Sequence, residues 1–285
     1  MAKQGLVVVL SAPIALAACH SSPGLPTDPP KQVSQVATGS FQSPTDAVAS
    51  PDGSEFYFAA WDMTGVASIF ATSSKPGSTP SALASDEPLE VPIGLVLSCD
   101  GSTLYIADMG GENGAILSLA TAGGTPADLG ATGMTADLQP ALFTISTGGG
   151  AASIVWMGAP LVSPTGVHID DKGVAWVMDH LAAGKNGEGV LFAIPSDGSA
   201  ATEVVSDLRM GTPGGVSLVA GGGTAVIPTR DHDGHSQLTS VNIASGAIAH
   251  LATPDLLDPA GLRTARQAGV FALVDSEGGA IYRAE

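Results

Sequence analysis

Five stretches of the chain repeat one order of apolar and polar positions: SPTDAVASPDGSEFYFAAWD, VPIGLVLSCDGSTLYIADMG, SPTGVHIDDKGVAWVMDH, TPGGVSLVAGGGTAVIPTRD and DPAGLRTARQAGVFALVDSE. Each opens on proline, alternates, turns near glycine, continues apolar and closes near aspartate. Alternation of period two predicts half-buried strands, and DG or GG between apolar runs predicts hairpins, because these residues accept positive φ. Proline suits the first residue of a strand, where no ladder donor is lost. The prolines are Pro44, Pro92, Pro164, Pro213 and Pro259, spaced 48, 72, 49 and 46 residues apart. A second family follows them: SIFAT, AILSL, ALFTI, VLFAI, QLTSV and AIYRA, anchored at Ile69, Ile116, Leu142, Leu191, Leu238 and Ile281. Most lead through a Gly- or Ser-containing turn into one more short apolar run. The unit is four strands in about 47 residues, the period of a β-propeller blade.

The count is uneven. There are six outer hairpins but five Pro-to-Asp inner pairs, and only ATGMTADLQP (131–140) stands where two inner strands belong. The expected fold is all-β: a propeller with six blade positions, the third lacking its inner strands. Five blades plus an extra hairpin is the alternative. AIYRAE supplies the third strand of a blade, and KQVSQVATG (31–39) alternates at Val33 and Val36. An N-terminal strand is therefore expected to pair with the C-terminal one and close the ring, which removes exposed edges.

Aligning the inner strands sorts their side chains. Two positions after each proline stand Asp46, Gly94, Gly166, Gly215 and Gly261; an apolar residue follows, and then Val48, Val96, His168, Ser217 or Arg263. By alternation the last column faces the central channel. His168, Ser217 and Arg263 come from three successive complete blades and form the candidate channel site. Arginine can hold a carboxylate or phosphate bidentately, and histidine exchanges a proton near neutral pH. A merely water-filled channel lining is the plain alternative.

The aspartates closing the five stretches are Asp62, Asp108, Asp179, Asp231 and Asp275. They are expected to accept backbone amides of their own turns, on the propeller face where ligand loops gather. Beyond Asp231, the run TRDHDGHSQL inserts His232, Asp233 and His235. The neighbouring blade offers DHLAAGKNGEG, with His180 beside Asp179 and with Asn186 and Glu188 further on. His180, His232, Asp233 and His235 are thus a candidate metal or ligand loop. Histidine and carboxylate suit zinc or another transition metal, although no finger or HExxH spacing is present. A solvated loop is the alternative, and no other cofactor is implied.

Composition narrows the partners. The chain has 27 acidic against 10 basic residues, which disfavours nucleic acid and anionic headgroups. The first residues are a targeting segment: one lysine, the apolar LVVVLSAPIALA, which is too short to span a bilayer as a helix, and then LAAC, Leu16 to Cys19. This ending resembles the lipobox of bacterial lipoproteins. The resemblance implies cleavage before Cys19 and acylation there, palmitate among the chains, with the membrane touched only through the lipid anchor. His20 in place of Asp favours outer-membrane sorting. Residues 1–18 are then a signal peptide, 19–32 a Pro-rich extended tether and 33–285 the propeller. The only other cysteine is Cys99, expected as a buried, inert thiol.

P-x-G-V, DGSTLYIAD and GAILSL…GGTP make residues 31–285 similar to bacterial six-bladed propellers of the NHL-repeat and SMP-30/strictosidine-synthase-like type. SMP-30-like lactonases hold a divalent cation in the channel with a Glu, two Asn and an Asp. Here the three asparagines, Asn113, Asn186 and Asn242, lie off the inner strands. No nucleophile elbow or phosphate-cradling loop appears, and no catalytic residue is identified. The leading expectation is an envelope-anchored scaffold that binds a protein, peptide or glycan. The alternatives are a hydrolase or lyase using His168 and Arg263, and a degenerate copy.

Overall fold

The computed structural model describes residues 6–11, 24–111, 114–131, 139–182, 188–211, 214–253 and 255–285, the first of these as backbone alone. Every regular element among them is a strand. In chain order, β1 (Leu6–Ser11) and β2 (Val33–Thr38) come first. A four-stranded blade follows: β3 (Phe41–Ala49), β4 (Glu55–Asp62), β5 (Ala67–Ser73) and β6 (Ser81–Ser85). The second blade is β7 (Pro92–Leu97), β8 (Thr103–Asp108), β9 (Ala115–Ala120) and β10 (Ala127–Asp128). The third sector holds the hairpin β11 (Ala141–Ser146) and β12 (Ser153–Met157). The next blade is β13 (Pro164–Ile169), β14 (Ala175–Asp179), β15 (Glu188–Ile194) and β16 (Thr202–Arg209). After it come β17 (Ser217–Leu218), β18 (Thr224–Arg230), β19 (Ser236–Asn242) and β20 (Ile248–Ala252). The last strands are β21 (Pro259–Thr264), β22 (Phe271–Asp275) and β23 (Ala280–Ala284).

Turn chemistry sets the inner hairpins. Between β3 and β4, Asp52 accepts from Ser50 Oγ at 2.7 Å and from the Ser54 amide at 3.1 Å, while Gly53 takes φ 73°. The β7–β8 turn repeats this with Asp100, which accepts from Ser98 Oγ at 2.6 Å and the Ser102 amide at 3.0 Å. A short side-chain acceptor beside a glycine reverses the chain without strain.

The ring closes as its alternation predicts. β2 pairs antiparallel with β23, from Val33 opposite Ala284 to Thr38 opposite Ala280, giving the sheet order β2-β23-β22-β21. There are therefore five four-stranded blades. The sixth sheet is the hairpin β11–β12, with β1 lying parallel along the free side of β11. The shortage of inner strands foreseen for the third position is present: no inner pair of that sector's own appears among the described residues.

The core is not central but lies between blades, because each sheet buries both faces. Between the last and first blades, Phe41, Phe58 and Phe70 pack with ring centroids 4.7 to 6.0 Å apart, against Val274 and Ile281. Tyr57, Ile69, Leu95 and Leu104 fill the next gap, and Met178, Leu191, Val216 and Ile227 a later one. The smallest cluster among the described residues lies between the second blade and the hairpin. Its fully buried members among the described residues are Ile116, Ala131 and Ile145.

Two expectations are corrected. Residues 24–32 do not run free as an extended tether: the Gly221 amide donates to Pro26 O at 2.8 Å, and Pro30 is buried. Nor is Cys99 a buried thiol; it is half-buried and disulfide-bonded. The expectations at Cys19, His20, Asn186 and Pro213 lie outside the described residues.

Candidate functional site

The inner strands approach so closely that most have no room for a side chain two positions after the proline. A Cβ added to Gly166 would lie 2.7 Å from Gly215 Cα, which accounts for this glycine column. Blade one breaks the column with Asp46. Its carboxylate is buried, accepting from the Ala47 amide at 2.9 Å and, across the blade boundary, from the Leu95 amide at 2.9 Å. Arg263 faces it with 3.8 Å between Nη2 and Oδ2. Burial raises the Asp46 pKa, and the Arg263 charge and the two amides oppose that rise.

His168, Ser217 and Arg263 do converge, as parity predicts. Ser217 Oγ lies 3.4 Å from His168 Nδ1 and accepts from the Thr264 amide at 2.9 Å. The serine is fully buried. Arg263 Nη1 donates to Val167 O and, at 3.5 Å, to Val216 O. His168 is half-buried. Burial first, then the Arg263 and Arg266 charges, push its pKa down to about 3. The imidazole is therefore neutral at physiological pH.

Two members of this group escaped the sequence reading. Asp46 carried a signal, the one acid in a column of glycines. Arg266, in the β21–β22 turn, carried none. It donates through Nη1 to Ser98 O at 2.7 Å and through Nη2 to Leu97 O, both across the channel in blade two. Together the two guanidiniums tie the last blade to the inner strands of the other four complete blades.

The five recurring aspartates all accept backbone amides, in two ways. Asp108, Asp179 and Asp275 are buried and pin the segment leading into their own blade. Asp108 holds the Glu90 and Val91 amides at 2.9 and 3.0 Å. Asp179 holds those of Val162 and Ser163 at 2.7 and 2.9 Å. Asp275 holds Leu257 and Asp258, both at 2.9 Å. Asp62 and Asp231 instead cap exposed β-turns between the second and third strands of their blades, as in Asp62 accepting the Thr64 and Val66 amides at 2.8 and 2.9 Å. These amides lower the pKa of Asp62 and of Asp231.

At the His-rich turn the grouping differs from the one drawn from sequence. Asp231, Asp233 and His235 bring ligand-type atoms within 4.8 Å of one another. Asp231 also accepts the Asp233 and His235 amides at 2.9 and 2.8 Å and lies 3.2 Å from His235 Nδ1. His232 contributes its carbonyl, which accepts from Arg209 Nη1 at 3.1 Å. His180 is held in its own blade, with Nδ1 3.1 Å from Ser163 O, and is not part of the group. Two acids and one imidazole on an exposed turn are donors a divalent cation accepts, but Asp231 and His235 already pair with each other in the turn.

No family model matches the chain, and no curated protein matches it. Solved structures do. The PQQ domain of a pyranose dehydrogenase from Coprinopsis cinerea has 8% identity and a TM-score of 0.58, over 92% of this chain and 99% of that one. An oligogalacturonate lyase from Vibrio parahaemolyticus has 11% identity and a TM-score of 0.50, over 90% and 92%. The tricorn protease has 13% identity and a TM-score of 0.53, over 87% of this chain and 26% of its own. At such identities the likeness concerns the fold alone: the chain is a β-propeller.

Proposed function

We propose that the chain is an envelope-anchored propeller lipoprotein, acylated at Cys19, that serves as a binding scaffold for a protein, peptide or glycan. One observation carries this reading: apart from the buried Arg263 Nε, which has no partner, the polar groups of the channel are spent on holding the ring together. Arg263 and Arg266 donate to backbone carbonyls in three other blades, Arg263 faces Asp46 in a fourth, and the Ser217 hydroxyl is buried beneath the Thr264 amide. A histidine with a pKa of about 3 is a poor general base at neutral pH. That weighs against the hydrolase or lyase that an SMP-30-like resemblance suggests. Binding is then the work of the face carrying the blade-terminal aspartates and the 231–235 turn.

Intact mass of protein taken from the envelope tests the anchor. The expected result is a lipid-sized mass gain at Cys19 and loss of membrane association in Cys19→Ala. A photo-crosslinker placed at Asp233 in cells tests the scaffold. A discrete adduct that survives His168→Gln supports it, and turnover of any substrate that vanishes in His168→Gln sinks it.

A further inference from the structure

The third sector carries an observation that the scaffold reading does not use. β11 pairs on one side with its hairpin neighbour β12, and the strand on its other side is β1. The two pair over six consecutive positions without a bulge, from Leu6 opposite Ala141 to Ser11 opposite Ser146. This pairing is parallel, whereas all others among the described strands are antiparallel. Parallel pairing cannot come from a tight turn; it requires a strand that arrives from elsewhere. The segment that does so, LVVVLS, is uncharged, β-branched and apolar. The β11 side of the slot is apolar, since Ala141, Leu142, Phe143 and Ile145 are buried.

We propose that the edge of β11 opposite β12 is a strand-acceptor site. In the uncut chain it holds Leu6–Ser11. In the processed protein it takes an extended, uncharged, proline-free apolar segment of a partner polypeptide, running parallel to β11. The second step rests on cleavage before Cys19. Removal of residues 1–18 would leave the amides and carbonyls along one side of Ala141–Ser146 without their ladder partners, and unpaired backbone groups inside a fold are costly enough to draw in a donor strand. Main-chain pairing supplies the affinity in such strand addition, and side-chain pockets supply the selectivity.

The test uses the whole chain, so it does not depend on whether cleavage occurs. Val7→Pro/Val9→Pro disrupts β1 as a strand without shortening the protein. Amide exchange is followed at residues 141–146, with the other blades as internal control. The parent should protect these amides, and the double variant should lose about tenfold or more of that protection at those on the β1 side, while those paired with β12 keep theirs. A synthetic peptide carrying LVVVLS between lysine pairs should restore it in proportion to concentration, while the same peptide with prolines in place of its first and third valines should not. The proposal is overturned if the variant exchanges like the parent, if the peptide leaves exchange unchanged, or if protection returns through dimerisation without peptide. The last result would make a second copy the occupant. Processing is read separately from the mass of the envelope form, so a protein that keeps residues 1–18 refutes the partner step while leaving the acceptor edge measured.

Discussion

His168 is a histidine held neutral, and that has a definite sign in stability. Its folded pKa of about 3 lies below the unfolded value near 6.5, so between those limits the unfolded chain binds a proton that the folded chain refuses. Stability from this group is complete above about pH 6.5 and falls as pH drops toward about 3, by up to about 1.4 kcal/mol per pH unit. Denaturant unfolding of the parent and of His168→Gln across pH 4 to 7 should show the variant with the flatter profile. Parallel profiles would mean that the imidazole is not shielded. Arg263 makes the complementary case. Arg263→Met leaves the Asp46 carboxylate buried with only its two amides, at a cost of about 3 kcal/mol when the acid is ionised. Asp46 already has a raised pKa, which rises further without the arginine, so protonation relieves the loss at low pH. The variant should therefore be more damaged at pH 8 than at pH 5. An equal loss at both would assign the effect to the carbonyls of Val167 and Val216 rather than to charge.

Among the repeating elements, the aspartates divide by burial, and their variants should divide with them. Asp179→Ala strands the buried amides of Val162 and Ser163 and should cost about 2–3 kcal/mol, as should Asp275→Ala through Leu257 and Asp258. Asp62→Ala and Asp231→Ala open turns that water reaches, and each should cost clearly less than either buried aspartate. A common loss for all four would deny the distinction. The strands themselves were legible because a blade repeats a period-two pattern, a turn signal and a proline start, so errors in one copy are corrected by the others. The channel column could be read for the same reason: parity along β13, β17 and β21 fixed the places of His168, Ser217 and Arg263 without any contact being known. What could not be read was anything set by the spacing between blades. Asp46 stood out as the one acid in a column of glycines, but its role could not be read, because the reach of its carboxylate to the Leu95 amide is a distance between two sheets. Arg266 sits in a turn, where alternation says nothing. The grouping of His180 with the 231–235 turn failed in the same way, since neighbouring blades bring their loops to one face but not to one point.

At the scale of the whole molecule, the ring stands or falls by β2. A propeller without closure exposes two strand edges, and β2 covers the one left by β23 while placing Val36 and Ala37 in the core between last and first blades. Deleting residues 31–39 should therefore lower Tm by more than about 10 °C, since losing a strand removes several kcal/mol and each shifts a domain of this size by a few degrees. A deletion can fail for dull reasons, and the structure offers a sharper form of the experiment. The amides of Lys31 and Gln32 both donate to Glu285 O, at 2.7 and 3.0 Å, so the end of β23 already lies against the start of β2. A permuted chain that begins at Ser40 and runs from Glu285 through a short glycine linker into Lys31–Gly39 keeps the same pairing and turns it into an ordinary hairpin. If closure is what β2 contributes, that permutant should recover nearly all the stability lost in the deletion, because every ladder pair from Val33–Ala284 to Thr38–Ala280 is retained. Recovery of less than half would show that β2 matters for where it comes from in the chain, through residues 24–30 packed beside Gly221 and Gly269, and not for the edge it covers.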